Sequence, residues 1–497
     1  MLGAPKRLQP KLFYSGISLE ERIPRTHRLR RVREAVDFDF VRREVAERYG
    51  PCGHESLDPA VLLKLMLLLV LENVSSERAL AEQLPYRLDW LWFCEYDLDE
   101  ETPNHSVLSK ARRRWGLAVF SALFQRVVQQ CVAAGLVDGR TLHVDASVIQ
   151  ANAASSGLPP ALRLAAGALY DRLEQEASAD EQVVGAERDT PPPGTLVSLT
   201  DPEARLTHKN GRSVLGYKDH RVVDDRAGII TATVTTDAAK AEPHVLNAAL
   251  DEHERNVGQA PRTVVADKSY GTADVYRSMA ERSITPCIPH ANHQGSRQPG
   301  LYEAREFRYD AQRDAYLCPH GQWLSRCGTT RRGYGRYGAG PGVCAACPCR
   351  GQCTSAREPR RRLTRSLGQE WIDWADACYS REHRRRLGRR RMYRAEGSFA
   401  DAVNHHGYKR ARWRGLLGMT IQNLLVATAQ NLRKLLRACR RQPALALEAT
   451  PLRGQRQGLD WTFGYGRLKV GFKTLGKALW PSAMPATDRW LAMSAEV

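Results

Sequence analysis

No apolar run in the 497 residues is long enough to cross a bilayer. The strongest, Ala60 to Leu71, is interrupted by Lys64 and falls well short of the roughly 18 residues a span requires, so it reads as a buried helix. Met1 to Pro10 carries charges and prolines without an apolar centre, so no secretory signal is expected and the setting is read as cytoplasmic. No segment repeats, which excludes solenoids and propellers. Acidic residues are in deficit, 55 Asp and Glu against 74 Lys and Arg, a net of +19. The deficit is local. Gly321 to Arg440 holds 26 basic and 7 acidic residues, a surplus of 19, and the rest of the chain is close to neutral. A surplus confined to one stretch points away from a generally solvating surface and toward a phosphate backbone, whose neutralisation releases counterions. Cysteine is sparse except between Cys318 and Cys353, where six of the twelve crowd together; in a reducing compartment this suggests metal rather than disulfides.

What is present is ordinary for a globular protein, with 42% apolar and 26% charged residues and length for two or three domains. Residues 1–27 read as a loose arm. From 28 to 137 the pattern is helical: Asp58-Pro59 is an N-cap followed by proline at the first helical position, and Ser76-Glu77 opens another helix. Phe120, Leu123, Phe124, Val127, Val128 and Cys131 line one face of a third, closed by Gly135. From 138 to 290 the period changes. Leu142, Val144, Ala146 and Val148 alternate with polar residues, Asp224 to Gly228 joins two strands, and Thr263–Ala266 is a short buried strand ending at Asp267. The order β, ββ, α, β, α, β describes a mixed α/β sheet, with a helix and loop expected within 151–200. Residues 291–369 read as an irregular, Cys- and Arg-rich insertion. Residues 370–440 are helical again, and 441–497 yield little.

Three acids stand out. Asp145 sits in mid-strand between apolar neighbours, an expensive place unless it is paired or bound to metal. Asp267 lies at the carboxyl end of a strand, where α/β sheets place ligands. Glu396 sits in a helix saturated with arginine. Phosphodiester chemistry needs clustered carboxylate oxygens to hold Mg²⁺ or Mn²⁺, so these three are the candidate catalytic and metal-binding residues. A turn or cap role for Asp267, and a surface ion pair of Glu396 with Arg391 or Arg394, are the plainer alternatives. In the cysteine stretch, Cys344-Ala-Ala-Cys347 is spaced for one tetrahedral Zn²⁺, with Cys318 and Cys353 as the other expected ligands and Cys327, Cys349 and His320 as spares. A segment so poor in apolar residues would gain much of its order from metal. Eight arginines between Arg381 and Arg394 suit phosphates better than a core. Arg331, Arg332 and Arg336, interleaved with Tyr334 and Tyr337, read as a flexible basic loop able to stack on splayed bases. Trp413 is read as core before stacking platform.

These motifs resemble a known family. His143-Val144-Asp145-Ala146-Ser147 and its continuation to Ala153 are similar to the first catalytic motif of DDE transposases from bacterial insertion sequences. Val265-Ala266-Asp267-Lys268-Ser269-Tyr270 resembles the second. Glu396-Gly397-Ser398-Phe399, continued by His406-Gly407 and Arg410-Ala411-Arg412-Trp413-Arg414-Gly415, resembles the third. Asp58 to Lys64, Ser76 to Leu80 and Pro103 to Ser106 are similar to the family's helical N-terminal domain. The resemblance implies a helical DNA-binding domain followed by an RNase H-like mixed-sheet catalytic domain, interrupted by the insertion. It implies Asp145, Asp267 and Glu396 as the metal-holding triad, at separations of 122 (267 less 145) and 129 (396 less 267). Lys268, Arg391, Arg394, Lys409, Arg410, Arg412 and Arg414 become the expected DNA contacts. Relatives carry Tyr, Arg and Lys at spacings that fall on Arg389, Met392 and Val403 here, so Arg391, Tyr393, Arg394 and Lys409 are the nearby substitutes. The implied partners are double-stranded terminal repeats and target DNA, with a homodimer pairing two ends at the nucleoid. A catalytically decayed DNA-binding repressor, or a nuclease of the same fold without joining activity, are the alternatives.

Overall fold

The computed structural model describes residues 1–3, 5–6, 18–52, 54–153, 196–209, 211–290, 300–330, 333–340, 342–354 and 360–441. The helix and loop expected within 151–200, and the 441–497 tail beyond its first residue, lie outside the described residues.

The N-terminal part is helical: α1 Leu19–Arg22, α2 Arg28–Ala35, α3 Phe40–Val45, α4 Pro59–Leu71, α5 Glu77–Gln83, α6 Leu88–Cys94, α7 Ser106–Trp115 and α8 Ala118–Ala133. Asp58 caps α4 by accepting the Ala60 N–H at 3.0 Å, and its carboxylate also receives Arg42. Pro59 through Val70 are all closed to solvent, so α4 is the centre of this part, as its all-round apolar sequence requires. Lys64, the one charge on it, reaches Glu95 at 3.3 Å, and burial holds its ammonium below the usual lysine range. The arm is less loose than expected where it is described. Leu19 on α1 and Ile23, the extended residue that ends it, are buried in the core, and the Lys6 N–H donates to Asp58 at 3.0 Å.

The sheet contains β1 Thr141–Gln150, β2 Arg205–Lys209, β3 Arg212–Asp224, β4 Ile230–Asp237, β5 Thr263–Val265 and β6 Thr285–Cys287, with α9 Leu246–Val257 and α10 Ala273–Glu281 between the later strands. Strands β4, β3 and β1 run antiparallel, with β2 added along the start of β3; β5 and β6 lie parallel to β1 on its other side. This is the RNase H-like arrangement. One face of the sheet carries Leu142, Val144 and Val222 against α9 and α10. The other turns Ile149, Tyr217 and Val223 toward the last helix, α15 Gly415–Arg441. That helix is buried from Gly418 through most residues to Leu435, and shares one core with α4 and α8. The N-terminal helices and the sheet therefore have no core boundary between them at 137–138.

The insertion is not irregular. Strands β7 Arg308–Asp310, β8 Ala315–Leu317, β9 Trp323–Thr329, β10 Tyr334–Gly338 and β11 Arg362–Ser366 form a five-stranded antiparallel sheet, with the short helix α11 Arg350–Cys353 beside it. Its core includes Phe307, Tyr316, Leu324 and Tyr337. Tyr337, expected to stack on bases, instead packs edge-on against Tyr309 and Tyr316 and donates to Asp314 at 2.6 Å. Arg331 and Arg332 lie outside the described residues. The chain then enters α12 Gln369–Ala377 and α13 Arg381–Arg391, passes through a π-helical turn at Met392–Glu396, and continues into α14 Gly397–His406.

Candidate active site

Asp145 points from β1 toward the face covered by α14 and α15, and is reached from two directions. Strand β5 pairs with β1 from Thr141–Thr263 to His143–Val265, and Asp267 follows two residues beyond the last pair. Its Oδ1 accepts the Ser269 N–H at 2.9 Å, an ordinary turn-capping bond that also fixes the carboxylate at the strand's end. From the other side comes Arg391, whose Nη1 lies 3.2 Å from Asp145 Oδ2 while its Nη2 donates to Glu396 Oε1 at 2.9 Å. The fold thus brings all three acids to one locality. Burial pushes the Asp145 carboxyl up to about 6; the charges of Asp267 and Glu396 add to the rise, and Arg391 opposes it.

The turn ahead of Glu396 makes this possible. Residues five apart on an α-helix lie about 140° apart around the axis. The wider π turn closes that angle and sets Arg391 over Glu396. Met392, at the position the resemblance assigns to arginine, is turned to solvent, 57% exposed, and Arg391 one residue earlier takes the inward place. Val403, at the expected lysine position, is likewise exposed, and Lys409 reaches the strand instead, donating to Ser147 Oγ at 2.7 Å two residues along from Asp145.

The arginines of α13 divide. Arg390 pairs with Asp225 at 2.6 Å, which in turn meets His143 at 2.9 Å, and Arg394 donates to the Arg226 carbonyl at 2.9 Å, so both staple the helix to the β3–β4 turn. Lys268, Arg410 and Arg414 are exposed. Arg412 is a correction. Expected as a DNA contact, it is buried enough for desolvation to depress its pKa, and donates to the carbonyls of Val74 at 3.2 Å and His406 at 2.9 Å. It ties the loop after α14 to the end of α4. Trp413 is core, with Arg112 stacked 4.0 Å from its ring.

Two groups near the acids escape a linear reading. Glu242 shares the Ser269 hydroxyl with Asp267. Tyr270 lies buried beneath, its hydroxyl without a hydrogen-bond partner among the described residues; burial, and after it the charges of Glu242, Asp145 and Asp267, hold its phenol well above the usual range. Glu242 stands before Pro243 and reads as a helix start; nothing local marks it as a neighbour of Asp267.

In the insertion, Cys318, Cys344, Cys347 and Cys353 line a single cavity of about 30 Å³. The Gln322 N–H points at Cys318 Sγ, 3.3 Å away. Arg361, on the same wall, has a buried Nε with no hydrogen-bond partner among the described residues. Cys349 stands instead beside His320, at 3.9 Å, and Cys327 is exposed. Among the described residues no three His, Cys, Asp or Glu side chains are drawn to ligating distance around one point. At the carboxylates Arg391 fills the gap; at the thiols the cavity does.

Two family models match the chain. One, described as a transposase domain (DUF772), covers residues 17–114; the other, a transposase DDE domain, covers 317–436. These two segments thus carry matches to transposase domains, the second of the DDE type. The second match takes in the cysteine cavity, Arg391 and Glu396, whereas Asp145 and Asp267 fall between the two. No curated protein matches the transposase. Among solved structures it is similar to a piggyBac transposase in a synaptic complex with hairpin DNA, at 8% identity and a TM-score of 0.32, over 83% of this chain and 76% of that one. The DDE domain match supports a DNA-transposing enzyme in general, and DDE transposases generally use divalent metal ions.

Proposed function

We propose that the transposase cleaves DNA at the ends of an insertion sequence and joins those ends to target DNA, using Asp145, Asp267 and Glu396 as its acidic centre. The observation that carries the reading is that Asp145 and Asp267 both follow the end of the β1–β5 ladder while a single guanidinium, Arg391, spans Asp145 and Glu396. Hard divalent cations take oxygen donors, and Arg391 stands between two of them as a cation already in place. The three carboxylates would hold Mg²⁺ or Mn²⁺, which when bound supplies an ionised water or 3′-hydroxyl and neutralises charge on the transferring phosphate.

The chain's own residues do the rest. Lys409 places a positive charge two residues along β1 from Asp145, and Lys268 one beside Asp267. With Arg391 and Arg394 near the acids, and Arg410 and Arg414 at the far end of β1, they would hold backbone phosphates without reading sequence. The N-terminal helices would read the terminal repeats, two chains would pair two ends, and the work would take place on the bacterial nucleoid. The four thiols around the insertion's cavity would hold structural Zn²⁺.

A linear fragment carrying the element's ends, incubated with protein and Mg²⁺, tests the reading. Cleavage followed by joining is expected, with Asp145→Asn retaining binding and losing both steps. Nicking without joining would favour a nuclease, and binding without nicking a decayed repressor. Loss of binding together with cleavage in Asp145→Asn would make Asp145 structural.

A further inference from the structure

Asp145 has a neighbour that this chemistry does not use. Its antiparallel partner across the β1–β3 pairing is Arg221, and directly opposed residues share a face of the sheet. Arg221 is completely buried, as is Asp219 two residues earlier on the same face. A buried charge is tolerated only when well engaged. Nε of Arg221 donates to Asp219 Oδ2 at 2.8 Å, and Nη1 to Gln430 Oε1 at 2.9 Å and to the Ser398 carbonyl at 3.3 Å. The rings of Phe399 and Tyr408 lie 4.6 and 4.8 Å from its guanidinium carbon. Asp219 is held in turn by the hydroxyls of Thr233 at 2.5 Å and Tyr408 at 2.8 Å. Gln430 donates to the same Ser398 carbonyl at 2.8 Å.

The partners of the pair outside the sheet all belong to the polypeptide after Glu396. Ser398 and Phe399 open α14, Tyr408 follows that helix, and Gln430 lies on α15. Apolar packing alone would hold α14 on the sheet as firmly. What a fork of fixed donors adds is a single permitted position along the helix. That matters here because Glu396 ends a π turn. Relaxation of such a turn to regular α-helix is a one-residue slip, which would swing the glutamate by about 100° around the axis. The grip on Ser398, two residues beyond, opposes that slip.

We infer that the buried Asp219–Arg221 pair is a positioning device that sets the Glu396 turn against Asp145. The inference rests on the reading of Asp145, Asp267 and Glu396 as the metal centre. Full-length protein is loaded with Fe²⁺ in place of Mg²⁺ and treated with peroxide, and the backbone cuts, which fall beside bound iron, are mapped by mass spectrometry. The native chain is expected to be cut near 145, 267 and 396. The double variant Asp219→Leu/Arg221→Met, which replaces the pair with apolar side chains, is expected to keep its melting temperature and the first two cuts, and to lose the third by about tenfold. Arg221→Lys keeps the charge and loses the fork; it is expected to weaken the same cut and serves if the double variant does not fold. Undiminished cutting near 396 in a folded variant overturns the positioning role and leaves the acidic centre standing. Absence of all three cuts from the native chain overturns both.

Discussion

Asp145 and Asp267 each lie two residues beyond the last pair of the β1–β5 ladder, which runs 141 with 263 to 143 with 265. Asp145 continues along β1 while Asp267 leaves the end of the neighbouring β5, and the charge of Asp267 is felt at the Asp145 carboxyl. If both hold the same cation, removing either removes the site. Asp145→Asn and Asp267→Asn are each expected to lower cleavage by on the order of 10²–10³-fold, and the double variant to lower it no further. Single-turnover cleavage of a labelled end fragment reads this directly. Multiplying losses in the double variant would mean that the two acids act separately.

The Asp145 carboxyl also makes metal-free stability depend on pH. Its folded value of about 6 stands above the ordinary 3.8, chiefly because burial disfavours the ionised form. A raised folded pKa means the penalty is absent below the unfolded value, grows between the two, and is complete above the folded one. Two pKa units correspond to at most about 3 kcal/mol, less what is lost when Arg391 is left without its partner. In chelator, Asp145→Asn is therefore expected to be more stable than the native chain at pH 7 by about 1 kcal/mol and no more stable at pH 4. Mg²⁺ at pH 7 should raise the native melting temperature and leave that of the variant unmoved. A variant less stable at both pH values would show that Asp145 is a structural anchor.

Legibility along this chain follows the range of the contacts. Strand β1 shows itself because Leu142 and Val144 alternate around His143, and an acid interrupting such a strand needs a reason. Helix α4 is plain because its apolar residues cover every face and Asp58-Pro59 begins it. The insertion's sheet was hidden by strands of three to seven residues built from Gly, Arg and Tyr. Tyr337, which suggests a base-stacking platform in a linear reading, turns inward only because Tyr309 and Tyr316 arrive from other strands to meet it. The π turn has no sequence signature, so Met392 looked like a missing arginine while Arg391 held the place. Arg412 and Arg414 are indistinguishable by motif, yet Arg412 bonds to Val74, 338 residues earlier, and no local pattern carries that.

That division between neighbouring arginines can be measured. Arg412→Ala removes donors from buried carbonyls and is expected to destabilise the fold by about 2 kcal/mol, with DNA affinity unchanged at a temperature where the variant is folded. Arg410→Ala and Arg414→Ala are expected to leave the melting temperature within a few degrees and to weaken DNA binding. Each should reduce the slope of log affinity against log salt by about one. Equal loss of affinity for all three would return Arg412 to the DNA-binding set.

The cysteine cavity makes a stoichiometric prediction. Four thiols from two loops and one short helix surround about 30 Å³, and Arg350 and Arg361 stand on its wall. Two cations suit a tetrathiolate zinc centre, whose net charge is −2, and the Arg361 Nε–H, without a partner among the described residues, would find a much stronger sulfur acceptor in ionised thiols. Without metal, burial and the other three thiols keep Cys353 above the usual thiol range, so proton release should accompany binding. The thiols as placed ring the cavity without meeting, so side-chain rotation onto the ion is part of the expectation. Protein purified without chelator is expected to contain about one zinc per chain by elemental analysis. Cys344→Ser or Cys353→Ser should remove it and lower the melting temperature of the insertion, whereas Cys327→Ser and Cys349→Ser should retain it. Zinc at less than a tenth of an equivalent in the native chain, or full zinc in Cys344→Ser, would leave the cavity as a small apolar void lined by free thiols.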